Sequence, residues 1–278
     1  MSLQYTNRLT QKILAKRGQN EHTPHDFSSI LRSPVGFLEV IAHMIEHVVM
    51  VPGLACTWEL FAPQSSALEG LAKFSVANHS ACDDLPSLAR SILDDAPRRF
   101  ALCGFSLGGY VALEIMRQAP DRVTRLALLD TAAGPELQEQ TVRRRRLLEL
   151  AIEEGMDRVC DLMIPYLVGG TSWNDPELAA TVRRMFSETG AAAFSRQLQV
   201  IMSRPDSRPD LRHIHCPTMI LVGRDDLLTP VAAAEEMAAE IPHASFIVLS
   251  DCGHLTTLER PAAVSAALQN WLAKGIAK

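Results

Sequence analysis

One serine of the sequence stands in a setting that suits a nucleophile. Ser106 lies between Gly104 and Gly108, after the apolar run 100–103 and before a helical pattern at 110–116. A tight turn from a strand into a helix needs glycines beside the serine, because side chains there would collide with the flanking elements. Such a turn presents the hydroxyl at the C-terminal edge of a sheet, beside the unpaired N–H groups of a helix N-terminus. The motif alone is weak evidence, since glycines also serve ordinary turns.

A base and an acid for this serine follow later in the chain. A serine hydroxyl is a poor nucleophile at neutral pH and needs a neighbouring base, which in turn needs an acid to orient it. His254 follows the apolar run 246–249 and a glycine, so it can reach the sheet edge that carries Ser106. Asp226 follows another apolar run, 217–222. We therefore predict that Ser106, Asp226 and His254 form a catalytic set.

Two backbone N–H groups are candidates for binding the negative charge of a tetrahedral intermediate. Leu107 follows the serine at the predicted start of a helix, and Leu54 follows a Pro-Gly pair after the apolar run 47–51. Backbone donors in these places can form an oxyanion hole. For the loop at Leu54, an ordinary turn is the alternative.

The predicted elements alternate between strand and helix, except in one central segment. Short apolar runs predict strands at residues 47–51, 74–78, 100–103, 123–129, 217–222 and 246–249. Runs that are apolar on both faces indicate an α/β fold, with a mostly parallel sheet flanked by helices. We assign residues 47–133 and 211–278 to this core. Between 134 and 210 the strand signals are replaced by helical periodicity, which indicates an inserted helical cap.

The methionines and aromatic residues of the cap are candidates for a substrate pocket. Most should form the core of the cap itself. We predict that Met163, Tyr166 and Phe186, together with Phe105, line an apolar pocket over the serine.

Composition narrows the function classes. The chain has 278 residues, of which 47% are hydrophobic, and a formal net charge of -5, so nothing points to nucleic acid or an anionic membrane. No apolar stretch reaches the length of a membrane span. Six scattered cysteines without a C-x-x-C pair indicate free thiols and a cytoplasmic protein. No His, Cys and carboxylate cluster has metal-ligand spacing, so we expect neither a metal nor an organic cofactor, and a small-molecule substrate as the partner.

Residues 1–46 are predicted to form an N-terminal arm of uncertain structure. Their first half is polar and basic, whereas residues 37–45 fit a short amphipathic helix. A transit peptide is the alternative, and we expect no secretory signal. We favour an arm that packs on the domain or is disordered.

Three blocks of the sequence resemble the α/β-hydrolase superfamily. They are residues 104–109 (Gly-Phe-Ser-Leu-Gly-Gly), 223–230 (Gly-Arg-Asp-Asp-Leu-Leu-Thr-Pro) and 253–261 (Gly-His-Leu-Thr-Thr-Leu-Glu-Arg-Pro). The resemblance covers about residues 48–272 and is greatest to small bacterial enol-lactonases and carboxylesterases with a helical cap.

The resemblance implies a fold, a triad and a choice of acid. The usual family spacing, Gly-x-x-Asp-x-x-x-Pro, selects Asp226 over Asp225, with Asp130 as the fallback. The chain departs from the family pattern in two places. It has Pro52-Gly53 where many members have His-Gly, and the usual leading β-hairpin is not apparent before residue 47.

The function that the resemblance implies is hydrolysis of a small carboxylic ester or lactone through an acyl-enzyme. Hydrolysis of a C–C bond or a thioester and a lyase reaction are alternatives on the same triad. A non-catalytic small-molecule-binding protein is a further alternative, because a fold does not fix a function. The oligomeric state, monomer or homodimer, stays open.

Overall fold

Parallel strands alternate with helices along the chain. A computed structural model describes residues 46–273, so the predicted arm lies outside the described residues except for its last residue. The strands are β1 (Glu46–Val51), β2 (Ala72–Val76), β3 (Phe100–Phe105), β4 (Val123–Leu129), β5 (Thr218–Gly223) and β6 (Ser245–Leu249). The helices are α1 (Ala62–Ala67), α2 (Leu85–Asp95), α3 (Leu107–Gln118), α4 (Gln138–Glu153), α5 (Met156–Leu167), α6 (Pro176–Met202), α7 (Val231–Glu240), α8 (Thr256–Glu259) and α9 (Pro261–Ala273).

The strands form one sheet in the order β2-β1-β3-β4-β5-β6, and every pair in it is parallel. The chain moves outward from β1 to β2 and then returns past β1 to β3. Loops leave the two strands in opposite directions at such a switch point, which opens a crevice at the carboxyl ends of the strands. The crevice lies between the loop after β1 and the turn after β3, where the sequence places Leu54 and Ser106.

Two apolar cores explain why the central strands are buried on both faces. Alternate residues point to opposite faces of a sheet. Val49, Leu102 and Leu128 pack with apolar residues of α2, α3 and α7. On the other face, Met50 and Cys103 pack with residues of α9 and of α4–α6. The prediction of a parallel sheet flanked by helices is confirmed.

The edge strand β2 differs from the sequence prediction. It spans Ala72–Val76, so it begins two residues earlier than the predicted run at 74–78. An edge strand is not enclosed on both sides, and Lys73 is exposed while Phe74 and Ser75 are only partly buried. Its sequence therefore lacks the continuous apolar run by which the central strands were recognised.

Every described element between β4 and β5 is helical, as expected for the segment 134–210. Helix α6 begins at Pro176, and the side chain of Asp175 caps it by accepting hydrogen bonds from the N–H groups of Glu177 (2.9 Å) and Leu178 (3.1 Å). The helix is interrupted at Gly190, where φ is +66°. Helices α4 and α5 both pack against α6.

One buried arginine ties the two ends of this helical segment together. Arg204, just after α6, donates to the carbonyl oxygens of Gly134 and Pro135 and forms an ion pair with Glu136. Its guanidinium lies 4.6 Å from the ring centroid of Tyr110 on α3. These contacts anchor the α4–α6 segment to the sheet layer at both of its junctions. Within residues 46–273, none of the helices combines the length and hydrophobicity needed to cross a membrane.

Candidate active site

The turn after β3 is strained, and its glycines are required by packing. Ser106 has φ 53° and ψ −113°, a conformation that non-glycine residues rarely adopt. A Cβ atom on Gly104 would lie 2.6 Å from the carbonyl carbon of Gly108, and one on Gly108 would overlap the carbonyl of Val51. The Ser106 N–H donates to the Leu129 carbonyl at 2.9 Å, which fixes the turn to β4. The turn therefore holds the serine at the head of α3.

The three residues of the predicted catalytic set lie in one hydrogen-bonded row. His254 Nε2 is 2.9 Å from Ser106 Oγ, and His254 Nδ1 is 2.8 Å from Asp226 Oδ2. His254 and Asp226 are buried, and Ser106 is partly accessible. The Phe105 ring packs against the imidazole at 5.2 Å between centroids. A base that faces a hydroxyl on one side and a carboxylate on the other can accept the hydroxyl proton.

Asp226 sits in a turn that satisfies both of its carboxylate oxygens. Oδ1 accepts hydrogen bonds from the N–H groups of Leu228 (2.8 Å) and Thr229 (2.9 Å), and Oδ2 accepts one from the Thr229 hydroxyl (2.7 Å). Burial acts to raise the pKa of Asp226. The charge of His254 and the hydrogen bonds from His254 and Thr229 outweigh burial and hold that pKa below its usual value. An ionised Asp226 keeps the proton of neutral His254 on Nδ1, so the Nε2 lone pair faces the serine.

The two predicted oxyanion donors flank the serine. Leu107 is the first residue of α3, where backbone N–H groups lack partners within the helix. On the other side, a Cβ atom on Gly53 would lie 3.3 Å from the Ser106 Cβ, so the loop that carries Leu54 passes directly beside the serine. The loop closes a turn, in which the Cys56 N–H donates to the Gly53 carbonyl at 3.2 Å.

Comparison with known proteins gives the family. The model of the "Alpha/beta hydrolase family" matches residues 48–267. This chain belongs to the α/β hydrolase family. A pimeloyl-[acyl-carrier protein] methyl ester esterase of Nitrosomonas europaea is 28% identical over 193 residues, which cover 65% of this chain and 74% of the relative.

Solved structures agree with this family. A thermophilic esterase from Thermogutta terrifontis has a TM-score of 0.75 and 29% identity, covering 82% of this chain and 89% of its own. The enol-lactonase from Burkholderia xenovorans LB400 has a TM-score of 0.75 and 24% identity, covering 83% of this chain and 92% of its own. At that identity, the enol-lactonase supports the fold alone.

The fallback acid of this α/β hydrolase lies near the row but is not part of it. Asp130 ends β4 in a left-handed conformation, with φ 45°, and is fully buried. It accepts hydrogen bonds from the Gly223 N–H (3.0 Å) and the Thr256 hydroxyl, while His254 Nδ1 faces Asp226. Burial, with the negative charge of Asp226, raises the pKa of Asp130 well above its usual value. The third candidate, Asp225, is exposed.

A buried glutamate that we had not singled out from the sequence holds the His254 loop. The carboxylate of Glu259 accepts hydrogen bonds from the N–H groups of Gly253 (3.1 Å), Leu255 (3.2 Å) and Gly169 (3.0 Å). Burial nevertheless raises the pKa of Glu259 above its usual value. The signal was available, since Glu259 lies within the 253–261 block, but that block was read only for its histidine.

The same loop is bound to the end of α5. The Leu167 carbonyl accepts hydrogen bonds from the N–H groups of His254 (3.0 Å) and Leu255 (3.1 Å). Gly169 passes so close that a Cβ atom there would lie 2.7 Å from the Gly253 nitrogen. The position of His254 thus depends on the helical segment as well as on the sheet.

The predicted pocket residues occupy different environments. Phe105 is buried at the site against His254. Phe186 is buried in the apolar core that the α4–α6 segment shares with the sheet, and Met163 is partly buried against that core. Tyr166, on α5, is 53% exposed. The assignment of Met163, Tyr166 and Phe186 to a substrate pocket stays a prediction.

Among the described residues, no three His, Cys, Asp or Glu side chains are grouped so that they could hold a metal ion.

Proposed function

We propose that this α/β hydrolase is a serine hydrolase that cleaves a small carboxylic ester or lactone through an acyl-enzyme. The observation that carries the proposal is the row of Ser106, His254 and Asp226, with distances of 2.9 Å and 2.8 Å between neighbouring side chains. The names of the similar proteins, an esterase among the sequence relatives and an esterase among the solved structures, support an ester substrate.

The proposed steps of ester hydrolysis follow from the order in which Ser106, His254 and Asp226 are hydrogen-bonded. Ser106 Oγ attacks the substrate carbonyl carbon as His254 Nε2 accepts the hydroxyl proton. The Leu54 and Leu107 N–H groups bind the oxyanion, and Asp226 stabilises the imidazolium. His254 then gives its proton to the departing alkoxide, which leaves an acyl group on Ser106. A water molecule, deprotonated by His254, hydrolyses the acyl-enzyme by the same steps.

The helical segment belongs to this proposal as a cap. Residues 47–133 and 211–278 would form the catalytic core, and residues 134–210 would cover the serine and limit the size of the substrate. The exposed apolar side chains near the acid and on α5, such as Leu227 (67% exposed) and Tyr166, are available to contact an apolar substrate group.

The test compares the wild type with Ser106→Ala on p-nitrophenyl esters of increasing acyl length. We expect a loss in kcat on the order of 10⁴-fold or more in Ser106→Ala. Ser187→Ala, an exposed serine on α6, is the matched control and should keep wild-type activity. A fluorophosphonate probe read by intact mass should give a single adduct on Ser106.

Two other results would redirect the proposal. An adduct on Ser106 without ester turnover would keep the activated serine but favour a C–C bond, a thioester or a lyase substrate. The absence of both an adduct and turnover would reject the catalytic role and favour a binding protein.

A further inference from the structure

The turn beside the serine contains a second strained residue, Ala55. Its φ is 54°, in the left-handed region that the third position of such a turn usually fills with Gly or Asn. Ala55 is fully buried, so its N–H needs a partner within the protein. A strained backbone persists only where its surroundings hold it in place.

The partner is a side chain of the helical segment. The Ala55 N–H donates to Oε1 of Gln197 at 2.9 Å, and Gln197 lies on α6 with 1% of its surface exposed. A backbone N–H can only donate, so this contact fixes which end of the Gln197 amide is the oxygen. The two residues are 142 positions apart in the chain. Nothing local to the turn supplies this hydrogen bond.

Two further residues fix the Gln197 amide. Its nitrogen donates to Ser80 Oγ at 2.8 Å and lies 2.9 Å from His79 Nε2. Burial lowers the pKa of His79 to about 4, so the ring is neutral at neutral pH, and Nε2 accepts from the amide in the tautomer that carries its proton on Nδ1. His79 Nε2 also lies 3.0 Å from the Gly53 carbonyl, which receives its hydrogen bond from Cys56. The amide is thus held at its oxygen and its nitrogen.

We propose that Gln197 is a positioning residue for the oxyanion turn: from the cap it holds the Ala55 N–H, and through it the turn that presents the Leu54 N–H to the substrate. This inference rests on the proposed function, since it concerns the same oxyanion. It places an acceptor for the turn on the cap, just as Leu167 on α5 binds the loop of the base. Both sides of the reacting centre are then set by the cap.

The test removes the acceptor while keeping the length of the side chain. In Gln197→Met, we expect kcat to fall by about tenfold with little change in KM. Displacing the oxyanion donor weakens the stabilisation of the transition state much more than the binding of the ester. Inhibition by a trifluoromethyl ketone, which forms the same oxyanion on the serine, should weaken by a similar factor. Hydrogen exchange in the peptide that contains Ala55 should become faster. Gln199→Met, an exposed residue of the same helix, is the control and should change none of these.

One further variant keeps the inference testable if Gln197→Met folds poorly, and a second sharpens the test if Gln197→Met folds. Ser80→Ala removes only a bond that orients the amide and should give the same changes in smaller measure, about two- to threefold in kcat. Ala55→Gly in the Gln197→Met background should recover part of kcat, because glycine adopts a positive φ without strain. A merely structural role for Gln197 would lower the melting temperature without this recovery.

The outcomes separate this inference from the proposed function. Unchanged exchange in Gln197→Met would overturn the hold on the turn. Faster exchange with unchanged kcat and ketone affinity would overturn its catalytic consequence, while the Ser106-dependent activity of the wild type would stand. A wild type without Ser106-dependent turnover or adduct would overturn both.

Discussion

Two aspartates at neighbouring strand ends of this enzyme are buried to nearly the same degree, and yet their pKa values shift in opposite directions. Asp130, after β4, is 0% exposed, and Asp226, in the turn after β5, is 3% exposed. The pKa of Asp226 is held below its usual value by His254 and Thr229, against the effect of burial. The pKa of Asp130 is raised by burial and by the charge of Asp226. The negative charge of Asp226 thus favours the protonated form of Asp130.

The difference teaches that neither burial nor a place at the sheet edge makes an aspartate the acid of a triad. What separates the two is the partner that each one faces. Asp226 Oδ2 faces the ring nitrogen of His254, so its charge can stabilise an imidazolium. Asp130 faces a backbone N–H and the hydroxyl of Thr256, which a neutral carboxylic acid can satisfy. We infer that Asp226 orients His254 and stabilises its imidazolium form. We infer that Asp130 instead joins β5 to the segment that follows His254.

Asp226→Asn should have the largest effect on activity, and it tests this comparison most directly. An amide keeps the size of the side chain but removes the charge and favours the wrong tautomer of His254, so kcat should fall by about 10³- to 10⁴-fold. Steady-state kinetics on an activated ester would measure this loss. Asp225→Asn, the exposed neighbour, should stay close to the wild type. A larger loss in Asp130→Asn than in Asp226→Asn would reverse the roles that we assign.

A third buried carboxylate sharpens the comparison, because Glu259 faces backbone N–H groups and the Ser172 side chain but no histidine. In Glu259→Gln, an NH₂ group must replace one of the two oxygens that accept from Gly253, Leu255 and Gly169. One buried N–H then faces a donor, which should lower the free energy of unfolding by about 1–3 kcal/mol. We expect kcat to fall by about tenfold, since the His254 loop loses part of its support.

Urea unfolding and kinetics at constant pH measure both effects of Glu259→Gln. The exposed Glu240→Gln at the end of α7 is the control and should change neither. Wild-type kcat in a destabilised Glu259→Gln would show that this carboxylate supports the fold but does not position the base.

The features that the sequence predicted well depend on local backbone constraints. The central strands are continuous apolar runs, and the turn at Ser106 requires glycines at 104 and 108 because neighbouring backbone fills the space of their side chains. The chain order Ser, Asp, His, together with the family spacing that selects Asp226, predicted three residues that the fold brings together. The α/β-hydrolase fold was predicted from these signals and is confirmed.

The features that the sequence did not predict are polar contacts between distant segments. Gln197 and Ala55, or Glu259 and Gly169, have no common local pattern, because a buried hydrogen bond across the fold leaves no periodicity in either segment. The choice between Asp130 and Asp226 likewise needed the family spacing. Each follows an apolar strand, so without that spacing only the three-dimensional position of His254 would distinguish them.

The smallest expected effect is that of Asp130→Asn, and its pH dependence sharpens the comparison most. In Asp130→Asn the amide oxygen can accept from the Gly223 N–H. Its NH₂ group can donate to the Thr256 oxygen, where the wild-type carboxyl accepts from the Thr256 hydroxyl, so kcat should stay within about threefold of the wild type. The pKa of Asp130 is raised in the folded state, so the native wild type keeps a proton that the unfolded chain loses above about pH 4. The contribution of Asp130 to the stability of the wild type therefore falls as pH rises from the unfolded pKa towards the folded one.

Asn does not titrate. Between the unfolded and the folded pKa of Asp130, the free energy of unfolding of Asp130→Asn should therefore rise relative to that of the wild type, by about 1.4 kcal/mol for each pH unit. Urea unfolding of both proteins at about pH 4.5 and about pH 7.5 would measure the gain. A difference in stability that does not change with pH would mean that Asp130 is ionised in the folded protein. Its charge would then lie beside that of Asp226, and the two aspartates would no longer differ in the way that separates acid from support.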